Sequence, residues 1–205
     1  IINDHIYLGG IFTHFQGNGA SWTYARNGAR LDINGKPDRT WNPEFNGTVI
    51  DIDVDENETY YYAAGYFTRA HNRVVENAGR LSTAAGAELD QSWTFRHSYL
   101  IGKYQQTVTA ANGRVYFGGS QHSLFGYNSD SMTRTSGSIT MNNGGDLQAS
   151  TRSATGVVYA SCHCSDFTFQ DAYQYLTLGT TWTRADEIQW VGGWDEATGR
   201  QLGWT

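Results

Sequence analysis

The chain has 205 residues, with 14 basic against 20 acidic side chains and a formal net charge of −6. No basic stripe is available to neutralise phosphates, which excludes nucleic acid and anionic membrane surfaces as expected partners. Aromatic residues make up 14%, beside 24 glycines and two prolines, a bias toward strands joined by tight turns rather than toward helices. No apolar run approaches the roughly 20 residues that span a bilayer, and no charged-then-apolar leader precedes the first expected strand, so membrane insertion is not expected.

One stretch organises the rest. Ile6-Tyr7-Leu8-Gly9-Gly10-Ile11-Phe12 returns as Tyr61-Tyr62-Ala63-Ala64-Gly65-Tyr66-Phe67, as Val115-Tyr116-Phe117-Gly118-Gly119-Ser120-Gln121 and as Val158-Tyr159-Ala160-Ser161-Cys162-His163-Cys164. A period of this size marks a propeller, a solenoid or an array. Repeats are expected at residues 1–47, 48–102, 103–146 and 147–205.

The first repeat enters at its tyrosine strand, without an opening strand, as if cut from a longer chain. A polar loop at 16–24 follows, carrying Trp22 and Tyr24, then a strand over Gly28–Asp32. The Asn34-Gly35 pair is a strong hairpin signal. It leads to a return strand at 38–41, which Asn42-Pro43 closes because proline cannot continue a ladder. The second repeat opens with Val49-Ile50-Asp51-Ile52-Asp53-Val54-Asp55, whose alternation predicts a half-buried strand. It then recapitulates the first: Arg80-Leu81 matches Arg30-Leu31, Gly86 matches Gly35, and Trp93 matches Trp41. Each unit therefore holds four strands. The third repeat turns at Asn112-Gly113 and keeps its tyrosine strand to Gln121, but lacks the Arg-Leu pair and the tryptophan; a hairpin is expected around 138–145. The fourth turns at Thr155-Gly156 and runs into Cys162-His163-Cys164. An insertion at 165–188 reads as a long loop bearing Phe167, Phe169, Tyr173, Tyr175 and Trp182. The repeat resumes at Gln189 and ends with Trp204 in the place of Trp41 and Trp93.

Four antiparallel strands per unit with short Asn-Gly, Ala-Gly or Thr-Gly turns predict an all-β chain, a β-propeller of about four visible blades forming an arc of a larger ring. A β-solenoid is the rival, with repeats that are usually shorter. Gly9-Gly10 and Gly118-Gly119 are expected where blades crowd together. The order Tyr-x-Gly-Gly-x-Phe-Thr, Ala-Arg-Leu-Asp, Asn-Gly-x-x-Asp-x-x-Trp-Asn-Pro and Val-x-x-Ile-x-Val-Asp, over nearly the whole chain, resembles the delta-60 type of propeller repeat. That type is found in secreted bacterial proteins and in minor tail proteins of phages that infect actinobacteria. Cys162-His163-Cys164, the aromatic insertion and the stretch from Trp190 to Arg200 look like the later blades of those tail proteins. The resemblance implies an extracellular or virion location and brings no catalytic residue.

Three groups of residues could carry chemistry. Asp51, Asp53, Asp55 and Asn57 alternate like calcium ligands, but Glu56 stands where a calcium loop needs glycine, and Ile52 and Val54 mark a strand; a polar strand face is the reading. Cys162 and Cys164 read first as packing residues in place of the small and aromatic residues of earlier copies, then as a disulfide, which a flat strand would strain, and last, with His163, as ligands of a soft metal. Asp166, Asp171, Asp186 and Glu187 surround the insertion without a spacing that makes them converge, and no nucleophile with a base appears, so neither an enzyme nor a cofactor is expected. The aromatic loops are the best functional feature, since planar side chains stack on sugar faces or anchor interfaces. Trp22, Tyr24, Phe167, Phe169, Tyr173, Tyr175 and Trp182 are the candidate ligand-binding residues. The expectation is a non-enzymatic binding or structural module that contacts a cell-surface glycan or other tail or surface proteins, within a larger assembly for which a homo-oligomer is one form. A phage tail-tip protein is the first setting, a secreted polysaccharide-binding propeller the second, and a glycoside-acting enzyme the competing class.

Overall fold

The computed structural model describes residues 1–97, 103–141, 145–173 and 182–203, among which every regular element is a strand and none a helix. The chain divides into two compact units, Ile1–Phe95 and Arg96–Thr205, taken here one at a time.

The first unit holds two repeats. Strand β1 (His5–Gly9) is followed by a short hairpin of β2 (His14–Phe15) and β3 (Thr23–Tyr24), and β4 (Gly28–Asp32) returns to pair with β1. The second repeat adds the opening strand β5 (Val49–Val54) to β6 (Tyr60–Gly65), again inserts a hairpin, β7 (Arg69–Ala70) and β8 (Arg73–Val74), and closes with β9 (Ala78–Ser82). Register confirms the alignment of the two copies, because Tyr7 lies opposite Arg30 and Tyr62 opposite Arg80. The return strand expected at 38–41 is reduced to one bridge, Leu31 with Pro37, and its counterpart to Leu81 with Leu89. Asp38 and Asp90 are the cause. Each accepts a hydrogen bond from the backbone two residues ahead, at Thr40 and Ser92, and so folds the chain into a turn that no ladder can follow.

Burial centres on Trp41, Phe45, Tyr61, Phe67 and Leu81, with Tyr7 and Ile52 packed against them, so residues of both repeats share one core. Gly9 makes that possible: a Cβ there would lie 2.7 Å from Val49 Cγ1. The organising tyrosine also fastens its repeat to the next. Tyr7 donates its hydroxyl proton to Glu58, 2.7 Å away in the β5–β6 turn, and accepts a bond from the Arg30 guanidinium.

The second unit opens with a four-stranded meander of β10 (Gln105–Ala111), β11 (Arg114–Gly119), β12 (Ser123–Asn128) and β13 (Arg134–Met141). Next come β14 (Leu147–Arg152) and β15 (Val157–Cys162), then β16 (Phe167–Gln170), β17 (Arg184–Glu187) and β18 (Val191–Asp195). Strands β14, β15 and β18 form their own sheet, whereas the β16–β17 hairpin leaves it and pairs with β13, extending the meander to six strands. Two sequence readings are corrected here. The insertion is not simply a loop, and the hairpin expected around 138–145 is formed earlier, by β12 and β13, with residues 138–141 as the end of its second strand.

Tyr116 does in this unit what Tyr7 does in the first, since its buried hydroxyl donates to the carbonyl of Glu196 in the fourth repeat at 2.7 Å. Burial pushes that phenol up to about 12, so it remains a proton donor at neutral pH. A second tie is polar throughout. The Trp194 indole donates to Ser138 Oγ at 2.9 Å, and Gln170 bonds the Gly199 carbonyl and the Gln201 amide, at 3.2 and 3.1 Å.

Three opening strands carry a bulge at one equivalent place, opposite Gly65, Gly119 and Cys162, each three residues past its tyrosine. By the same count Cys164 stands where Phe67 stands, and both are fully buried. Both cysteines thus stand at packing positions, but the second reading, a disulfide, is the one seen, and packing alone is corrected. They are also joined to each other, because the chain bends after the bulge and brings their Cα atoms to 5.2 Å, inside the range a bridge needs. Alkylation of the denatured, unreduced chain is expected to label neither cysteine, and after reduction both; labelling without reduction would leave the packing role alone.

Candidate functional site

The candidate aromatics fall into a group in each unit, both on the hairpin that follows a tyrosine strand. In the first unit, β2 and β3 pair His14 with Tyr24 and Phe15 with Thr23, a ladder too short to bury its own side chains. Trp22 is 67% exposed and Tyr24 half exposed, with the His14 ring edge-on to Tyr24 at 5.5 Å.

The β16–β17 hairpin reverses the usual alternation. Thr168 and Gln170 are buried against the sheet, while Phe167 and Phe169 take the outer face. Trp182 closes on Phe169 edge-to-face at 5.4 Å and stays 45% exposed, so Phe167, Phe169 and Trp182 form one outward aromatic group. Tyr173 does not join it. Its ring lies over Gly137 and under the Arg134 guanidinium at 4.2 Å, which also covers Phe125, so it is a packing residue of the meander. Burial, then the nearby Asp171 charge, raise its hydroxyl above the ordinary phenol value. Tyr175 and Trp204 lie outside the described residues.

The other candidates do not converge. The Cys162 and Cys164 sulfurs are bonded to each other and His163 is exposed beside Gln148, so the three do not face a common point; no group of three metal-ligating side chains occurs among the described residues. Asp51, Asp53 and Asp55 sit on and just after β5, where each bonds nearby backbone amides, and they do not wrap a loop. Of the acids around the insertion, Asp186 is tied to Arg184 at 2.6 Å, Asp171 accepts the Thr183 hydroxyl, and the adjacent Asp186 and Glu187 point to opposite faces of β17. No family model and no curated protein matches the chain. Among solved structures it is similar to the one titled "Structure of U3-55K", with a TM-score of 0.47 and 8% identity over 97% of this chain and 66% of that one. It is similar to the "Crystal structure of RRP9 WD40 repeats" at the same TM-score and identity, over 97% of this chain and 65% of the other. The chain thus spans about two thirds of each, and at this distance the likeness assigns neither a family nor an activity.

Trp190 was not among the candidate aromatics. It is 56% exposed and has a left-handed backbone, φ 66°, while its carbonyl accepts from the Cys162 amide and its own amide donates to the Cys164 carbonyl, on the β18 side of β15. Buried Asn27 and Asn77 hold the same turn in the first unit, at φ 62° and 70°, and residues of that type adopt such a backbone readily. The equivalence was available from the sequence, since all three directly precede the strand that returns to the tyrosine strand.

Proposed function

We propose that the chain is an arc of β-propeller blades, two repeats to a unit, serving as a non-catalytic contact module of an extracellular assembly. The observation that carries this reading is the use made of one hairpin. At the same point of the first and fourth repeats, between the tyrosine strand and its return strand, the chain lifts aromatic faces outward, and in β16 it does so while turning the polar residues in. Rigid aromatic faces at the tips of a sheet scaffold lose little conformational freedom on contact and suit stacking on sugar rings or packing against protein. The resemblance to delta-60 repeats favours the tail tip of an actinobacterial phage as the setting, with a cell-surface glycan or neighbouring tail proteins as partners.

Adsorption to isolated actinobacterial cell walls tests the reading. Trp22→Ala with Tyr24→Ala, and Phe167→Ala with Trp182→Ala, are each made in the full chain. At least one pair is expected to reduce adsorption tenfold or more while the far-ultraviolet spectrum is kept. Undiminished adsorption by a folded chain lacking all four aromatics would assign the module to spacing rather than contact.

A further inference from the structure

The loop bearing Trp22 forms one wall of a cleft of about 570 Å³ in the first unit. Residues 19–21 line one side and Lys36, Pro37, Asp38 and Arg39 the other. The walls are fixed by the chain itself. Asn18 bonds the Asn34-Gly35 turn twice, through its amide to the Gly35 carbonyl at 2.8 Å and through its side chain to the Asn34 carbonyl at 3.3 Å. Gln16 ties the loop across its base, to the Ala20 carbonyl at 3.0 Å. Gly17 lets the two walls meet, because a Cβ there would lie 2.6 Å from Pro37 Cδ and closer still to the Gly35 carbonyl. A site built this way loses little freedom when it is filled.

We infer that this cleft binds a carboxylate-bearing sugar of an acidic polysaccharide. The inference rests on the contact-module reading above and names the ligand class for its first aromatic hairpin. Two of the lining side chains, Lys36 and Arg39, are exposed cations, on a chain whose formal net charge is −6. The acid between them does not cancel them. Asp38 directs Oδ2 to the Arg30 guanidinium and Oδ1 to the Thr40 amide and hydroxyl, so its charge is already matched inside the fold. Arg39 donates from Nη2 to Ser21 Oγ at 2.9 Å, which holds the guanidinium across the cleft and leaves further N–H donors for an anion. Lys36 Nζ has no carboxylate partner among the described residues. Trp22, the residue after Ser21, offers an exposed ring against which a sugar face can stack. The two cations of the cleft match a ring that carries a carboxylate, whereas a neutral sugar would leave both charges without a counter-charge. A nucleic acid fits less well, because its affinity comes from many phosphate contacts along the strand and two cations release few counterions.

The test is titration of the full chain with trigalacturonate, with neutral galactotriose and with a short oligothymidylate, following backbone amide resonances. Trigalacturonate is expected to shift the amides of residues 18–22 and 36–40 and to bind at least tenfold more tightly than galactotriose. Lys36→Gln with Arg39→Gln, both exposed and compatible with the fold, is expected to weaken trigalacturonate tenfold or more and leave galactotriose unchanged; Trp22→Ala is expected to weaken both. Equal binding of the two sugars, lost with Trp22→Ala but not with the double glutamine variant, would overturn the acidic-sugar assignment and leave the contact-module reading intact. Tighter binding of oligothymidylate, or no sugar binding at this cleft, would overturn it too, while wall adsorption that still depends on the aromatic pairs would show that the broader reading survives.

Discussion

Replacing Trp41 with alanine is expected to destabilise the first unit by about 3–5 kcal/mol, the range for emptying a fully buried tryptophan site. The side chain is 1% exposed and comes from the turn near the end of the first repeat, yet its indole donates to the Ser82 carbonyl of the second repeat at 3.1 Å. It meets Tyr61 edge-on at 4.9 Å and Tyr7 at 5.4 Å, so its loss opens a void between repeats that neighbouring rings cannot fill without leaving their own contacts. Trp41→Phe keeps most of the volume and loses the Ser82 bond, and is expected to cost less than half as much. Trp22→Ala, at a 67% exposed site, is expected to stay within about 0.5 kcal/mol, which qualifies it as a probe of binding. Urea denaturation, with hydrogen exchange read separately on the amides of β4, β6 and β9, measures all three. A loss below 1 kcal/mol for Trp41→Ala would mean that the two repeats do not depend on each other's core.

The repeat was legible because its signals are local. A tyrosine followed by small residues, an Arg-Leu pair and an Asp-x-Thr/Ser-Trp run each reflect a constraint inside a few residues, and register places Tyr7, Tyr62, Tyr116 and Tyr159 at equivalent points opposite Arg30, Arg80, Gly126 and Gly193. What could not be read lies where burial departs from hydrophobicity. Strand β13 is buried through Ser136, Gly137, Ser138 and Thr140, small and polar residues of which only the stretch from 138 reads as part of a hairpin, and its partner β16 hides threonine and glutamine while showing phenylalanine. Ser138 accepts the Trp194 indole of the fourth repeat, and Gln170 bonds Ser138 of the third repeat and the Gln201 amide of its own, partnerships that no single-sequence periodicity reveals. The same limit applies to the site. Aromatic type marked both hairpins, but only packing separates outward Trp182 from Tyr173, and the Lys36–Arg39 cleft was hidden because an aspartate between two cations looks neutral until its partner, Arg30, is known.

Asp38→Asn is expected to destabilise the first unit by about 3 kcal/mol, the lower end for removing one partner of a buried ion pair, since the Asp38 side chain remains 22% exposed and that of Arg30 only 9%. The guanidinium bonds Asp38 at 2.6 Å, the Tyr7 hydroxyl at 3.2 Å and the Thr83 carbonyl, so without the carboxylate its charge stays buried on neutral oxygens. Asp90 holds Arg80 in the same geometry in the second repeat. Burial alone would push both carboxyls up, but bonds from Thr40 or Ser92 together with the arginine outweigh it and hold each below the ordinary carboxylate range. The direction fixes the pH response. A carboxyl depressed in the folded state contributes stability that is fully present above its unfolded pKa, near 4, and is lost as pH falls through the folded value. The parent unit is therefore expected to hold its stability from pH 7 down to about 5 and to lose it progressively below 4. Asp38→Asn should start lower at pH 7 and fall less steeply in acid, because one of the two titrating carboxyls is gone. Stability curves from pH 7 to pH 2, with hydrogen exchange on β1 and β4 as the local readout, decide it. A variant as stable as the parent at pH 7, or one that falls as steeply in acid, would mean that Tyr7, Glu58 and solvent hold Arg30 without its aspartate.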